Sequence, residues 1–150
     1  MSHPRPDPAR REALATLARA DADRLKACWE AFEPKPVHRV VKGPETGLVM
    51  VRGRTGGGGA PFNVGEATAT RCVVRLATGE VGFGHVLGRD GERARFVALF
   101  DALGQSEHRD RVTREVLVPL AAERAAAAHR KARETAATRV DFFTMARGDD

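Results

Sequence analysis

The chain has 150 residues, 42% of them apolar, and a formal net charge of +5. This length supports one domain with a real core, and the apolar share excludes wholesale disorder. The positive charge favours an anionic partner. Two widely separated cysteines exclude a disulfide framework and a zinc quartet. Since we find no signal peptide and no membrane-spanning run in the sequence, we expect a cytoplasmic protein.

The N-terminal part predicts a flexible tail over 1–6, followed by a single domain over 7–150. Asp7 suits the N-cap of a first helix, and apolar residues then recur at three- and four-residue steps as far as Phe32. Pro34 ends this helix, because proline lacks the backbone N–H that a helix interior needs.

The middle of the chain predicts four strands, over 37–41, 47–53, 68–76 and 81–87. A turn at 42–45 separates the first two strands. In the third strand, alternation places Cys72 on one face and Arg71 on the other. Glycines at 82, 84 and 88 predict bulges or a close approach of another backbone.

The C-terminal part predicts two more helices and two more strands. Asp90 suits the N-cap of a helix that ends at Gly104, and the alanine-rich segment 120–137 is helical by propensity. Segments 112–118 and 140–145 are predicted strands. These elements together predict an α+β fold, a single domain with a mainly antiparallel sheet and three helices.

A glycine-rich loop is the best candidate for a ligand site. Arg52 and Arg54 precede four consecutive glycines, Gly56, Gly57, Gly58 and Gly59. Polyglycine amides can form a concave nest for an anion, and arginine forks match phosphate oxygens. We therefore predict a phosphate or substrate cradle, to which Asn63, Arg71 and Arg89 also contribute. The alternative is a flexible turn beside solvated arginines, since the spacing fits neither a Walker A loop nor a dinucleotide motif.

Two residues are candidates for catalytic work, although no catalytic constellation is evident. Glu66 follows the glycine loop and could stabilise positive charge at a sugar carbon, and His85 could act as a general acid. The alternatives are an ion pair with a nearby arginine and a structural histidine. Cys72 lies on an apolar face, where a thiol is usually inert. The histidines show no metal-ligand spacing, so we predict no bound metal.

Four sequence blocks occur together and in order along the chain. They are VRGRTGGGGAPFNVGEATATRCVVRL at 51–76, GRD at 88–90, DALGQ at 101–105 and RVDFFTMARGD at 139–149. The set resembles the PhnG family, a small subunit of the bacterial carbon–phosphorus lyase system. Gly58 departs from the family pattern, which often has threonine there, so a hydroxyl contribution from this loop is in question.

The resemblance implies an accessory role in phosphonate catabolism. In that family the subunit works with PhnI, PhnH and PhnL, and an alkylphosphonate displaces the adenine of MgATP to give α-D-ribose 1-methylphosphonate 5-triphosphate. The family also forms a stable core with PhnJ. The resemblance implies that PhnI carries the nucleosidase chemistry. Since this chain shows no nucleophile and no acid–base constellation, we expect it to be inactive alone and to bind no cofactor of its own.

The alternative function is a purely structural interaction module that stabilises the core complex without touching substrate. Its interface would then be the apolar first helix, with Trp29 and Phe32, and the closing strand, with Phe142 and Phe143. A nucleic-acid-binding domain is disfavoured, because the chain has no Tyr, one Trp and no interleaving of aromatic and basic residues.

Overall fold

The computed structural model describes residue 5 and residues 7–139, and it divides into two compact units, Met1–Leu120 and Ala121–Asp150. The first unit contains the sheet and the hydrophobic core. Within the described part of the second unit, the chain continues the last helix. None of the described helices combines the length and the apolar character that crossing a membrane requires.

The predicted first helix is in fact two helices, α1 (Pro8–Ala18) and α2 (Ala22–Ala31). The predicted cap is confirmed, because the Asp7 side chain accepts a hydrogen bond from the amide of Ala9 at 3.3 Å. The two helices are separated at Asp21. Its backbone is extended, and Asp21 is the N-cap residue of α2. Both helices still bury the predicted apolar stripe in one core.

In the part of the chain that the structure describes, three strands form an antiparallel sheet in the order β1-β2-β3: β1 (His38–Arg54), β2 (Pro61–Leu76) and β3 (Val81–Leu87). The predicted separate strands at 37–41 and 47–53 are wrong, because β1 runs through both and absorbs the segment between them as bulges. Pro44 is tolerated there because β1 is an edge strand, where a missing N–H breaks no ladder. The strand β2 also begins earlier than predicted, at Pro61.

The helix α3 (Gly91–Gly104) packs against one face of the sheet. Its predicted cap is confirmed, because the Asp90 side chain accepts a hydrogen bond from the amide of Arg93 at 3.0 Å. A Cβ added at Gly82 or Gly84 would overlap the carbonyl oxygens of Ala98 and Ala94. The predicted close backbone approach is therefore confirmed at these two glycines.

Side chains of α1 and α3 bind the outer edge of β3. The buried Asp101 carboxylate accepts a hydrogen bond from the amide of Phe83 at 2.9 Å and two from the guanidinium of Arg10, at 2.8 and 3.0 Å. The Gln105 amide donates to the carbonyl of Val81 at 2.8 Å. These bonds give the DALGQ block a structural role, because they satisfy backbone groups that an edge strand leaves unpaired.

The predicted strand over 112–118 is wrong, because this segment is helical. The helix α4 (Arg109–Val112) passes through a π-helical turn, Thr113–Leu117, into α5 (Val118–Ala137). Val112 and Val116 are four residues apart and both buried, so they lie on one helical face. The predicted helix over 120–137 is confirmed, and the predicted strand over 140–145 lies outside the described residues.

Among residues 7–139, helices cover one face of the sheet and leave the other face open. In β2, Cys72 and Val74 are buried on the α3 side, whereas Arg71 and Arg75 are exposed on the other side, as the alternation predicts. The α+β class with an antiparallel sheet is confirmed. The helix count exceeds the predicted three because the first helix is split and α4 is added.

We expect Gly84→Ala to lower the free energy of unfolding by about 3 kcal/mol, because the new methyl group must push α3 away from the sheet. Gly47→Ala is the matched control, since a Cβ there meets no atom within 4 Å. Urea denaturation of both variants measures the difference. Equal stability of the two variants would contradict the close packing of α3 on β3.

Candidate functional site

The strands β1 and β2 continue beyond the end of β3 as a two-stranded ribbon. The last pair between β2 and β3 is Ala69 with Leu87, and the amide of Gly88 donates to the carbonyl of Thr68 at 2.8 Å. We call residues 48–67 the arm. The structure describes every residue of the arm, and none of them is buried. The arm therefore reaches out from the core, with the glycine loop at its tip.

The arm brings three of the predicted binding residues together near its tip. In the β1–β2 register Arg52 faces Asn63 and Arg54 follows two residues later, so their side chains share one face of the ribbon. Phe62 and Val64 cover the other face, where a Cβ at Gly53 would touch both. The tip thus combines two guanidinium groups and an amide on one side with apolar side chains on the other.

The four glycines of the loop form a defined turn. Gly56 and Gly57 adopt φ angles of +62° and +79°, which favour glycine. The amides of Gly58 and Gly59 both donate to the carbonyl of Thr55. These two N–H groups are used inside the turn, so the loop offers an anion fewer free donors than its sequence suggests.

The backbone at position 58 does not require glycine. Its φ angle of −128° suits any residue, and an added Cβ would meet no atom within 4 Å. Threonine therefore fits at this position without changing the turn. Gly59 differs, because a Cβ there would lie 2.7 Å from the carbonyl oxygen of Thr55.

Arg71 lies on β2 ten residues from Pro61, so it is far from Arg52, Arg54 and the glycine loop, and Arg89 is also separated from them. The turn that carries Arg89 follows β3 and points towards the same end of the sheet as the arm. The amide of Gly88 donates to the carbonyl of Thr68, however, and the strand from Thr68 to Pro61 spans about 23 Å at 3.3 Å per residue. Arg89 and the glycine loop are therefore too far apart to hold one small anion.

The two predicted catalytic candidates are also separated. His85 pairs with Arg71 on the open face of the sheet, and Arg71 forms an ion pair with Glu45 at 3.1 Å. Glu66 lies on the arm, where it pairs with Met50. Glu66 is five residues from Arg71 on the same strand, so its side chain lies on the face of the sheet opposite Arg71. Glu66 and His85 cannot act on one substrate atom as an acid–base pair within this chain.

Two other expectations concern the thiol and metals. Burial raises the pKa of the Cys72 thiol, which disfavours the thiolate that a nucleophile needs. Within residues 7–139, no group of three His, Cys, Asp or Glu side chains is arranged to hold a metal ion.

Fold and site together define a small α+β protein that presents a basic, glycine-tipped hairpin outside its core. Residues 8–148 match the family model described as phosphonate metabolism protein PhnG, so the chain belongs to the PhnG family. The expected resemblance is thereby confirmed.

A relative from Rhizobium meliloti (strain 1021) is 56% identical to the chain over 141 residues. The alignment covers 94% of this chain and 90% of the relative, which is named alpha-D-ribose 1-methylphosphonate 5-triphosphate synthase subunit PhnG. The relative is therefore named as one component of a multi-subunit synthase, and the similarity extends over nearly its whole length.

We expect Gly58→Thr to leave the loop intact and Gly59→Ala to distort it, because only the second change brings a side chain against the carbonyl of Thr55. Backbone NMR shifts of residues 54–61 in each variant measure the effect. Threonine at 58 should shift only its immediate neighbours, whereas alanine at 59 should shift the whole loop. Wider shift changes for Gly58→Thr than for Gly59→Ala would show that the loop adopts a different turn in solution.

Proposed function

We propose that the chain is an accessory subunit of a synthase that transfers the ribose 5-triphosphate moiety of ATP to methylphosphonate and releases adenine. The proposal is supported by the 56% identity to a protein named as a subunit of that synthase, over 90% of its length. The reaction belongs to phosphonate catabolism by the carbon–phosphorus lyase pathway, in keeping with the family description.

In this reaction the C1′–N9 bond of ATP breaks, a phosphonate oxygen forms a new bond to C1′, and adenine leaves after gaining a proton. Both substrates are anionic, and the ribose becomes positively charged as adenine departs. Arg52 and Arg54 lie on one face of the arm and would hold the triphosphate or the phosphonate. Partner surfaces packed against the exposed apolar side chains of the arm would exclude water, which competes with phosphonate for C1′.

The partners we propose are PhnI, PhnH, PhnL and PhnJ. The described residues of this chain place Glu66 and His85 on opposite faces of the sheet, so we assign the nucleosidase chemistry to another subunit, PhnI. The chain alone would then be inactive and would carry no cofactor, and MgATP would be a substrate of the assembled complex.

The test is phosphonate-dependent adenine release by reconstituted subunits that contain Arg54→Ala or Arg54→Lys. If the planar fork binds an oxyanion, both variants should lose activity, by about 10- to 100-fold, because lysine keeps the charge but loses the bidentate geometry. If only long-range charge matters, lysine should restore activity and the effect of alanine should fade as salt rises.

Arg75→Ala is the control for this series, because Arg75 is an exposed arginine of β2 far from the arm. It should retain full activity, and the chain alone should release no adenine. Full activity of assembled complexes with Arg52→Ala and with both Arg54 variants would exclude a role of the arm in binding substrate.

Exposed apolar side chains on the arm favour the second candidate function, a structural interaction module. The interface expected on the first helix is wrong for Phe32, which is buried in the chain's own core, and Trp29 packs against Phe32 and Phe100. Phe142 and Phe143 lie outside the described residues. Among the described residues, five of the eleven large apolar side chains that are exposed lie on the arm: Leu48, Met50, Val51, Phe62 and Val64.

We expect the double variant Leu48→Ala, Met50→Ala to weaken assembly with the partner subunits by about 30-fold, equivalent to ~2 kcal/mol. The two side chains are exposed and two residues apart on one face of the arm, so the fold should not change. Co-purification and titration of the subunits measure the loss. Val37→Ala, at another exposed apolar residue, is the control. Equal assembly of the variant and the control would argue against an interface on this face.

A further inference from the structure

A groove of about 390 Å³ lies on the open face of the sheet, away from the arm. Its walls come from all three strands: Lys42, Glu45, Arg71, Cys72, Val73, Phe83, Gly84 and His85. A volume of this size falls in the range of pockets that take small molecules. None of the functional proposals above uses this surface.

The strand register arranges the groove as two rows that cross the sheet. One row is Glu45, Arg71 and His85, in which each residue pairs with the next across the strands. The second row is Lys42, Val73 and Phe83. The first row is polar and charged, and the second combines one ammonium group with apolar side chains.

The bulge in β1 is what places Lys42 and Glu45 on the same face. Residues three apart in a regular strand point to opposite faces, but the register shift between Lys42 and Glu45 brings both to the open side. Gly43 permits this shift, since its φ angle is +81° and an added Cβ would lie 2.5 Å from the carbonyl oxygen of Arg71. Gly43 thus permits the bulge that creates the groove.

Glu45 orients the two cations of the groove. Its Oε1 lies 3.1 Å from Arg71 Nη2 and 3.5 Å from Lys42 Nζ. Arg71 has no other side-chain partner among the described residues, so much of its guanidinium fork is free to donate. Two cations, one carboxylate and a histidine leave the groove with net positive charge, and the ion pair holds the fork in place.

We propose that this groove is an anion site for a phosphorus oxyanion with a small organic substituent, either a phosphonate or a phosphate monoester. The oxyanion contacts Arg71, Lys42 and His85, as charge-assisted hydrogen bonds require. The organic substituent lies over Val73 and the half-exposed ring of Phe83. The choice of a phosphorus oxyanion rests on the proposed function, whereas the binding of an anion in this groove concerns this chain alone.

The experiment is an NMR titration of the full chain with methylphosphonate, methyl phosphate and inorganic phosphate, each at low ionic strength. We expect saturable shifts at the amides of Arg71, Val73 and His85. Methylphosphonate or methyl phosphate that binds more tightly than inorganic phosphate would identify the organic substituent as part of recognition, and the tighter of the two would distinguish a phosphonate from a phosphate ester. Inorganic phosphate that binds most tightly would overturn the role of the substituent. An absence of saturable shifts with all three probes would overturn the proposal.

Matched variants separate a specific site from general attraction by a basic protein. Arg71→Ala should weaken binding at least tenfold and Arg71→Lys several-fold. Arg75→Ala should change it by less than twofold, although Arg75 lies on the same strand and the same face. Equal weakening by Arg71→Ala and Arg75→Ala would overturn the proposal. Lys42→Met gives a second test at the other cation and should weaken binding in the same direction.

Discussion

The contact of α3 with β3 is the constraint on which the rest of the structure depends. Gly82 and Gly84 let the helix backbone approach the strand so closely that no Cβ fits between them. Asp101 then joins α3, the edge of β3 and α1 through Arg10. Because one long buried helix covers one face of a three-stranded sheet, the hydrophobic core lies entirely on that side. The opposite face and the distal half of the hairpin are consequently left for other contacts.

Both uncovered surfaces are basic, and both fit the chemistry of phosphonate metabolism. The arm presents Arg52 and Arg54 beside exposed apolar side chains, and the open face presents Arg71 and Lys42 around Glu45. A two-stranded ribbon without a third strand or a helix against it is only marginally stable in water. The arm is therefore the part of the first unit that gains most from a partner surface, and its charged tip would then lie within the assembled site.

The sequence predicted best where a single residue type decides the geometry. The caps at Asp7 and Asp90 and the close approach at Gly82 and Gly84 were predictable, since each follows from local chemistry. Predictions failed where tertiary context decides. Pro44 suggested a turn, but an edge strand tolerates it as a bulge, and the alternation over 112–118 proved to be a buried helical face. The groove was not predictable, because the bulge that aligns Lys42 with Glu45 is visible only in the register.

In the proposed function, the arm binds substrate and is covered by partner subunits in the assembled complex. Hydrogen–deuterium exchange, followed by peptide, tests this most directly in the chain alone and in the assembled complex. We predict that amides of 48–67 exchange fast in the free chain and become protected on assembly, whereas 69–76 and 81–87 are protected in both. Equal exchange of the arm in the two states, with new protection confined to other segments, would contradict the claim.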